Sequence, residues 1–275
     1  MGPHGLHRMA YVEWGDPRNP RVLICVHGLT RNGRDFDYLA RALAHEYRVV
    51  CPDVVGRGRS ERLAVAEDYV LPVYAADMIT LIARLDVEAV DWLGTSMGGL
   101  IGMLLAAQPG TPIRRLVLND VGPRITAQSL ARIAQYVGNA PRFASVEEAE
   151  AYVRLVSAPF GALSDEQWRH LTVHGLKREA DGGYRMAYDP AIAVPFRAAM
   201  AVPGQDVDLW PLYDAIRVPT LVLRGEHSDL LTRETAREMS GRGPRAELAE
   251  AAGVGHAPMM MNEAQLAPVR EFLLR

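Results

Sequence analysis

Cysteine is scarce in this sequence. Its two cysteines, Cys25 and Cys51, are too few for a disulfide scaffold in a chain of 275 residues. Both lie in short apolar runs, RVLICV and YRVVC, where a cysteine usually behaves as a small buried hydrophobic residue. We therefore expect both thiols to be reduced.

A large excess of charge is also absent, as is a long hydrophobic run. Thirty Lys and Arg residues against 33 Asp and Glu residues leave a formal net charge of -3, which gives no indication of a nucleic-acid-binding surface. No stretch approaches the roughly 18 apolar residues of a membrane span, and the N-terminal residues contain no apolar segment typical of a signal peptide. These absences predict a cytoplasmic protein that neither spans a membrane nor binds nucleic acid.

What is present is the pattern of a globular α/β protein. Hydrophobic residues make up 49% of the chain and charged residues 23%, which excludes disorder as the main state. Repeated strand-then-helix units predict an α/β fold with a mostly parallel, twisted sheet flanked by helices. The predicted strands are 9–14, 21–26, 47–51, 89–93, 115–118, 220–223 and 245–249, and the predicted helices are 36–44, 72–85, 97–107, 233–240 and 263–274.

The alternation stops between Val121 and Arg217. This stretch has helix-like segments at 127–136, 146–156 and 164–176 and no clear parallel strand. We therefore predict one core domain formed by residues 1–120 and 218–275, with residues 121–217 inserted as a mainly helical cap.

The segment Gly94-Thr95-Ser96-Met97-Gly98 carries the clearest chemical signal. It matches the pattern G-x-S-x-G and stands directly between a predicted strand and a predicted helix. A sharp turn there strains the serine backbone, and glycines avoid clashes beside it. The hydroxyl then projects at a helix N-terminus, where the Met97 amide faces developing negative charge. Ser96 is therefore predicted to be a nucleophile; the simpler alternative is a glycine-rich turn with a capping serine.

With two further motifs, this turn resembles the α/β-hydrolase superfamily, in particular its cap-bearing serine esterases and C–C hydrolases. The segment His27-Gly28-Leu29 resembles the family's oxyanion loop, and Asp53-x-x-Gly56-x-Gly58-x-Ser60 resembles a structural turn of the family. The resemblance covers nearly the whole chain. It implies an oxyanion hole made by the backbone amides of Leu29 and Met97, with His27 shaping the loop through hydrogen bonds.

A nucleophilic serine needs a base and an acid that orients the base. In the family the chain order is serine, acid, histidine, and His256, in a glycine-rich loop before the last predicted helix, fits best as the base. For the acid, the commoner family position favours Asp229 after the strand TLVL. Asp120, at the end of the strand RLVL, is the serious alternative, and Glu226 is a weaker one. The implied triad joins Ser96, His256 and Asp229.

No metal ion or cofactor is predicted. His170 and His174 are four residues apart, but the sequence has no glutamate at the position that H-E-x-x-H requires. We interpret the pair as one face of a cap helix.

The cap is expected to select the substrate. Arg31 and Arg124 are candidates for binding a carboxylate on the substrate, and the equal alternative is that either is a solvated arginine. His27 and Trp168 are further candidate contacts. Large side chains of the cap either line an apolar pocket or pack the cap onto the core. These are Tyr136, Phe143, Tyr152, Phe160, Trp168, Tyr184, Tyr188, Phe196, Met200 and Trp210.

These features predict acyl transfer on a small-molecule substrate. The leading hypothesis is hydrolysis of a small or medium carboxylic ester through an acyl-enzyme, with lactones and hydroxyalkanoate-type esters included. The alternative is a C–C hydrolase acting on a ring-cleavage diketone, because it uses the same triad, as do acyltransferase and cofactor-free haloperoxidase side activities. A non-catalytic binding protein of the same fold would bind its ligand without turnover.

Overall fold

The computed structural model describes residues 2–199 and 204–275, and its main elements follow the predicted alternation. The strands are β1 (Tyr11–Trp14), β2 (Val22–Val26), β3 (Arg48–Pro52), β4 (Val90–Thr95), β5 (Ile113–Asn119), β6 (Arg124–Ile125), β7 (Arg142–Phe143), β8 (Leu176–Arg178), β9 (Tyr184–Met186), β10 (Val207–Asp208), β11 (Thr220–Gly225) and β12 (Glu247–Ala251). The α-helices are α1 (Asp37–Leu43), α2 (Leu71–Arg84), α3 (Met97–Ala106), α4 (Ala127–Ala134), α5 (Val146–Val156), α6 (Asp165–His174), α7 (Ala193–Ala199), α8 (Trp210–Ala215), α9 (Arg233–Gly241) and α10 (Glu263–Leu274). Short 3-10 helices cover Gly33–Phe36, Ala66–Asp68, Ala158–Phe160 and Pro190–Ile192.

The main sheet has seven strands in the order β1-β3-β2-β4-β5-β11-β12. The edge strand β1 pairs antiparallel with β3, and the other neighbours pair in parallel. The predicted mostly parallel sheet is therefore confirmed. Because parallel strands point the same way, the carboxyl ends of β2, β4, β5 and β11 meet at one edge of the sheet.

Both faces of the sheet are buried, as continuous apolar strands require. Alternate residues of β2 enter two separate hydrophobic clusters: Ile24 packs on the side of α2 and α3, and Cys25 packs on the side of α1 and α10. Cys25 and Cys51 are both buried and free. In the described part of the chain, no helix is long and apolar enough to cross a bilayer.

Residues 121–217 lie in sequence between the adjacent strands β5 and β11 and contain helices α4 to α8. Helix α5 has the predicted bounds, 146–156. This stretch also contains short strands that the sequence did not indicate: β10 pairs with β6, and β7, β9 and β8 form a small antiparallel sheet. Strands of two or three residues are too short to produce a readable alternation of apolar and polar side chains. The division into core and cap domains stays a prediction.

Candidate active site

Ser96 occupies the strained turn between β4 and α3 that its motif requires. Its backbone angles are φ 52° and ψ -115°, which residues other than glycine rarely adopt. A Cβ atom on Gly94 would lie 2.2 Å from the main chain of Gly98, and one on Gly98 would lie 2.0 Å from the carbonyl oxygen of Val26. The glycines therefore allow the helix to approach the strands closely enough to present the serine.

A continuous line of hydrogen bonds runs from Ser96 to Asp120 through His256. The Nε2 atom of His256 lies 3.1 Å from Ser96 Oγ, and its Nδ1 atom lies 2.8 Å from Asp120 Oδ2. The fully buried Asp120 carboxylate also accepts hydrogen bonds from the Gly225 amide, at 2.8 Å, and from the Ser228 hydroxyl, at 2.6 Å. With Nδ1 donating to a carboxylate, Nε2 is left as the acceptor for the serine proton.

The prediction that Asp229 holds His256 is wrong for this structure. Asp229 does follow β11, but its half-exposed side chain pairs with Arg132 of α4, with 2.9 Å between Nη2 and Oδ1. The preceding Ser228 turns toward Asp120 instead. Asp120 directly follows β5, which is hydrogen-bonded to the strand that carries Ser96, and its backbone φ of 54° turns the chain sharply there. The weaker candidate, Glu226, accepts a hydrogen bond from the main chain of Gly253 and takes no part in the line.

The residues predicted for the oxyanion hole lie where they can act together. Leu29 and Met97 both line the same cavity as Ser96. Within residues 2–199 and 204–275, neither main-chain N–H is paired with an acceptor. Met97 opens helix α3, so its N–H belongs to the positive end of that helix. Two unpaired donors on the residues that line the cavity with Ser96 are compatible with the predicted oxyanion hole.

His27 supports the oxyanion loop from behind and is not a substrate contact, contrary to one of its predicted roles. It is fully buried and is not among the residues lining the cavity. Its Nδ1 atom donates to the carbonyl oxygen of Gly28 at 2.7 Å, and its Nε2 atom accepts from the Val54 amide at 2.9 Å. Burial lowers the pKa of His27 to about 3, with a further contribution from the charge of Arg57. The ring is therefore neutral at physiological pH.

The sequence did not indicate a role for the buried residue Arg57, although Arg57 lies inside the Asp53-x-x-Gly56-x-Gly58-x-Ser60 motif. Its Nε atom donates to the carbonyl oxygen of Leu29 at 2.8 Å, and its Nη2 atom lies 3.6 Å from the sulfur of Met97. It therefore contacts both residues whose amides are proposed as oxyanion donors. From sequence alone, an arginine in a glycine-rich turn is usually interpreted as a solvated side chain. Only the burial of Arg57 in the structure reveals its contacts with Leu29 and Met97.

The hydrogen-bonded line from Ser96 to Asp120 opens into a cavity of about 480 Å³ between the sheet edge and residues 121–217. Its walls are mostly apolar, a common property of small-molecule sites. Of the side chains predicted to form an apolar pocket, Tyr136, Tyr152, Phe160, Tyr188 and Phe196 line the cavity. Phe143, Trp168, Tyr184 and Trp210 do not line it, and Met200 lies outside the described residues.

Of the other predicted substrate contacts, Arg31 lines the cavity, and Arg124 and Trp168 do not. Arg31 lines the cavity, but its guanidinium is paired with Asp35, with 2.9 Å between Nε and Oδ2. Arg124 is about half exposed, lies 3.7 Å from Asp206, and does not reach the cavity. Trp168 is buried in a cluster that packs α6 against the core, stacked at 6.4 Å on Phe160. The predictions for Arg124 and Trp168 are therefore wrong: the first side chain is on the surface and the second serves packing.

His170 and His174 help to join α6 to the core. Asp37 lies near both, and one potential ligand atom from each of the three lies within 4.8 Å of the others. The Asp37 carboxylate is already engaged by Arg34, whose Nε atom lies 2.9 Å from Oδ1 and 2.8 Å from Oδ2. The His170 Nε2 atom lies 3.1 Å from the carbonyl oxygen of Arg34. A cation would have to compete with the guanidinium for Asp37, so these contacts are better explained as structural.

Comparison with known proteins agrees with this geometry. Residues 21–263 match the family model described as the alpha/beta hydrolase fold. The chain is 54% identical over 277 residues to a 3-hydroxybutyrate-oligomer hydrolase from Cupriavidus necator, which covers 99% of this chain and 94% of that protein.

Two solved structures extend the likeness to three dimensions. A putative hydrolase from Rickettsia typhi has a TM-score of 0.91 and 35% identity, covering 98% of this chain and 91% of its own. An alpha/beta hydrolase from Novosphingobium aromaticivorans has a TM-score of 0.88 and 37% identity, covering 99% and 95%. The chain therefore belongs to the alpha/beta hydrolase fold family.

Proposed function

We propose that this protein hydrolyses carboxylic esters through a covalent acyl-enzyme formed on Ser96. The protein is a hydrolase of the carboxylic ester class. The observation that carries the proposal is the hydrogen-bonded line from Ser96 through His256 to Asp120 at the base of an apolar cavity. We assign the acid of the triad to Asp120 and the oxyanion donors to the amides of Leu29 and Met97.

Acylation begins when Ser96 Oγ attacks the ester carbonyl carbon. His256 Nε2 accepts the serine proton, and the new imidazolium is stabilised by the Asp120 carboxylate on Nδ1. The carbonyl oxygen becomes an oxyanion that accepts hydrogen bonds from the two unpaired amides, each of which lowers the barrier by about 3 kcal/mol in comparable enzymes. The bond to the alcohol oxygen then breaks, and His256 returns the proton to the departing alcohol.

Deacylation repeats these steps with water. His256 accepts a proton from a water molecule that attacks the acyl carbon, and it then protonates Ser96 Oγ as the acyl-oxygen bond breaks. The buried position of Asp120, with three hydrogen-bond donors around it, keeps the imidazole in one orientation through both halves of the cycle.

For the substrate we propose short oligomers of a 3-hydroxyalkanoate, in which each carboxyl group is esterified by the hydroxyl of the next unit. Support comes from the 54% identical relative, a 3-hydroxybutyrate-oligomer hydrolase. The cavity also suits such a chain, since its volume of about 480 Å³ accommodates a small, weakly polar ligand. In this proposal residues 121–217 act as a cap that roofs the nucleophile, and a cytoplasmic location remains a prediction.

The test is hydrolysis of 3-hydroxybutyrate dimer and trimer by the wild type and by Ser96→Ala, followed by chromatography of the released acid. We expect turnover by the wild type and a loss of at least about 10⁴-fold in kcat for the variant. Labelling by a fluorophosphonate should disappear with the same substitution. Absence of both turnover and labelling in the wild type would favour a non-catalytic binding protein. Faster cleavage of a ring-cleavage diketone than of any ester would favour the C–C hydrolase alternative.

A further inference from the structure

Arg132 of α4 is the charged side chain that distinguishes one wall of the cavity. Among the described residues that line this cavity, the charged side chains other than His256 are Arg31, Asp35 and Arg132. The first two neutralise each other in a buried pair. Arg132 therefore supplies a cation on a wall that is otherwise formed by apolar and phenolic groups.

The partner of Arg132 is adjacent in sequence to a residue that contacts Asp120. This partner, Asp229, directly follows Ser228, whose hydroxyl contacts the Asp120 carboxylate, and directly precedes Leu230, which lines the cavity. Asp229 itself is not a lining residue. One chain segment thus connects the triad, the cavity wall and the anchor of Arg132.

The guanidinium keeps donors for a second anion. Asp229 accepts from the Nε and Nη2 atoms, which form one edge of the planar group, and the Nη1 amino group is not part of this pair. Both side chains are partly exposed, at 33% for Arg132 and 41% for Asp229, so solvent screens their attraction. Asp229 therefore positions Arg132 without removing its capacity to bind another carboxylate.

Tyr136 adds a neutral donor beside the cation. It lies four residues beyond Arg132, in the turn that follows α4, and it also lines the cavity. Burial raises the pKa of the Tyr136 phenol, while the charge of Arg132 and a side-chain hydrogen bond from Arg132 oppose that shift. The phenol therefore keeps its proton at neutral pH, and a protonated phenol can donate a hydrogen bond to an anion.

We propose that Arg132, together with the Tyr136 hydroxyl, binds the free terminal carboxylate of an ester substrate. This inference rests on the proposed function. In a hydroxyalkanoate oligomer all carboxyl groups except the terminal one are esterified. The free carboxylate therefore lies on the alcohol side of the ester bond to be cleaved. Arg132 then marks the side of the cavity that binds the leaving group, and the enzyme selects acid-terminated oligomers over neutral esters.

The discriminating experiment compares the free acid of the 3-hydroxybutyrate dimer with the same dimer capped as its methyl ester. Both contain the same internal ester, and chromatography measures its cleavage in each. We expect the wild type to prefer the free acid by roughly ten- to a hundredfold in kcat/KM, the range for a hydrogen bond to a charged group. Arg132→Met should bring this ratio close to one, and Arg132→Lys should give an intermediate ratio.

Arg142→Gln is the control, because Arg142 is an exposed cation of the same insertion that pairs with Asp181 and does not line the cavity. Its ratio should equal that of the wild type. Equal rates of the wild type on both dimers would overturn the proposal, as would an unchanged ratio in Arg132→Met. If Arg132→Met does not fold, the wild-type ratio and Arg132→Lys decide. Failure of the wild type to cleave either dimer would overturn the proposed oligomer substrate together with this inference, and this result differs from equal cleavage of both dimers.

Discussion

Replacing Asp120 by asparagine should disable the enzyme much more than the same change at Asp229. Asp120 Oδ1 accepts from the Gly225 amide, while Oδ2 accepts from both Ser228 and His256. An asparagine has one oxygen, and keeping the Gly225 bond turns its amino group toward His256. Nδ1 must then accept a hydrogen bond, so the ring proton moves to Nε2, where it blocks proton transfer from the serine.

The wrong tautomer costs about 10⁴-fold in kcat in a related catalytic arrangement, which corresponds to about 5.5 kcal/mol. Asp229→Asn removes only a partly exposed ion pair, so we expect kcat on p-nitrophenyl butyrate to change by less than about fivefold. Thermal unfolding of each variant establishes that the fold is retained. A loss of several decades in Asp229→Asn, with Asp120→Asn remaining active, would refute the assignment of the acid.

Further outcomes follow from the buried supports of the site. Arg57→Met should lower kcat on the same ester by about tenfold and leave KM less affected, because the carbonyl of Leu29 loses its charged donor. Steady-state kinetics test this, and Arg57→Lys should restore part of kcat. An unaltered kcat in Arg57→Met would exclude the positioning role. Gly98→Ala should lower the free energy of unfolding by about 3 kcal/mol or more in denaturant titrations, since its Cβ would strike a main-chain oxygen. Gly241→Ala, where a Cβ meets nothing within 4 Å, should have little effect, and equal effects of the two substitutions would contradict the packing argument. The pKa of His27 is about 3 in the fold and about 6.5 when unfolded, so only the unfolded chain binds this proton between those values. Stability should therefore fall by about 1.4 kcal/mol for each pH unit below 6.5 from this group alone, and His27→Gln should show a shallower pH dependence in thermal melts.

The fold could be predicted because its signal is repeated and strong. Buried parallel strands such as β2 and β11 are continuous apolar runs, and helices between them have readable periodicity. The small sheets of residues 121–217 have strands of two or three residues, which leave no pattern. The position of Ser96 could be predicted for a different reason: the turn itself demands glycine at fixed neighbouring positions.

The acid could not be chosen from sequence because both candidates obey the same chain order. Asp120 follows β5 and Asp229 follows β11, and these parallel neighbours end at the same edge of the sheet. Only the direction of each side chain separates them, and that direction depends on local backbone angles and on partners distant in sequence. Arg132, the residue with which Asp229 pairs, is 97 residues from Asp229 along the chain.

With Asp120 as the proposed acid, residues 121–217 separate only His256 from the other two residues of the proposed triad in sequence. The proposed nucleophile and acid, Ser96 and Asp120, follow adjacent strands. There Thr95 pairs with Asn119, and the Ser96 amide donates to the carbonyl oxygen of Asn119 at 3.0 Å. Their spacing is set by this short ladder, independently of the length or sequence of the insertion. A chimera that exchanges residues 121–217 therefore keeps the relative positions of Ser96 and Asp120 unchanged. Of the proposed triad, only His256 must be positioned anew, by its loop.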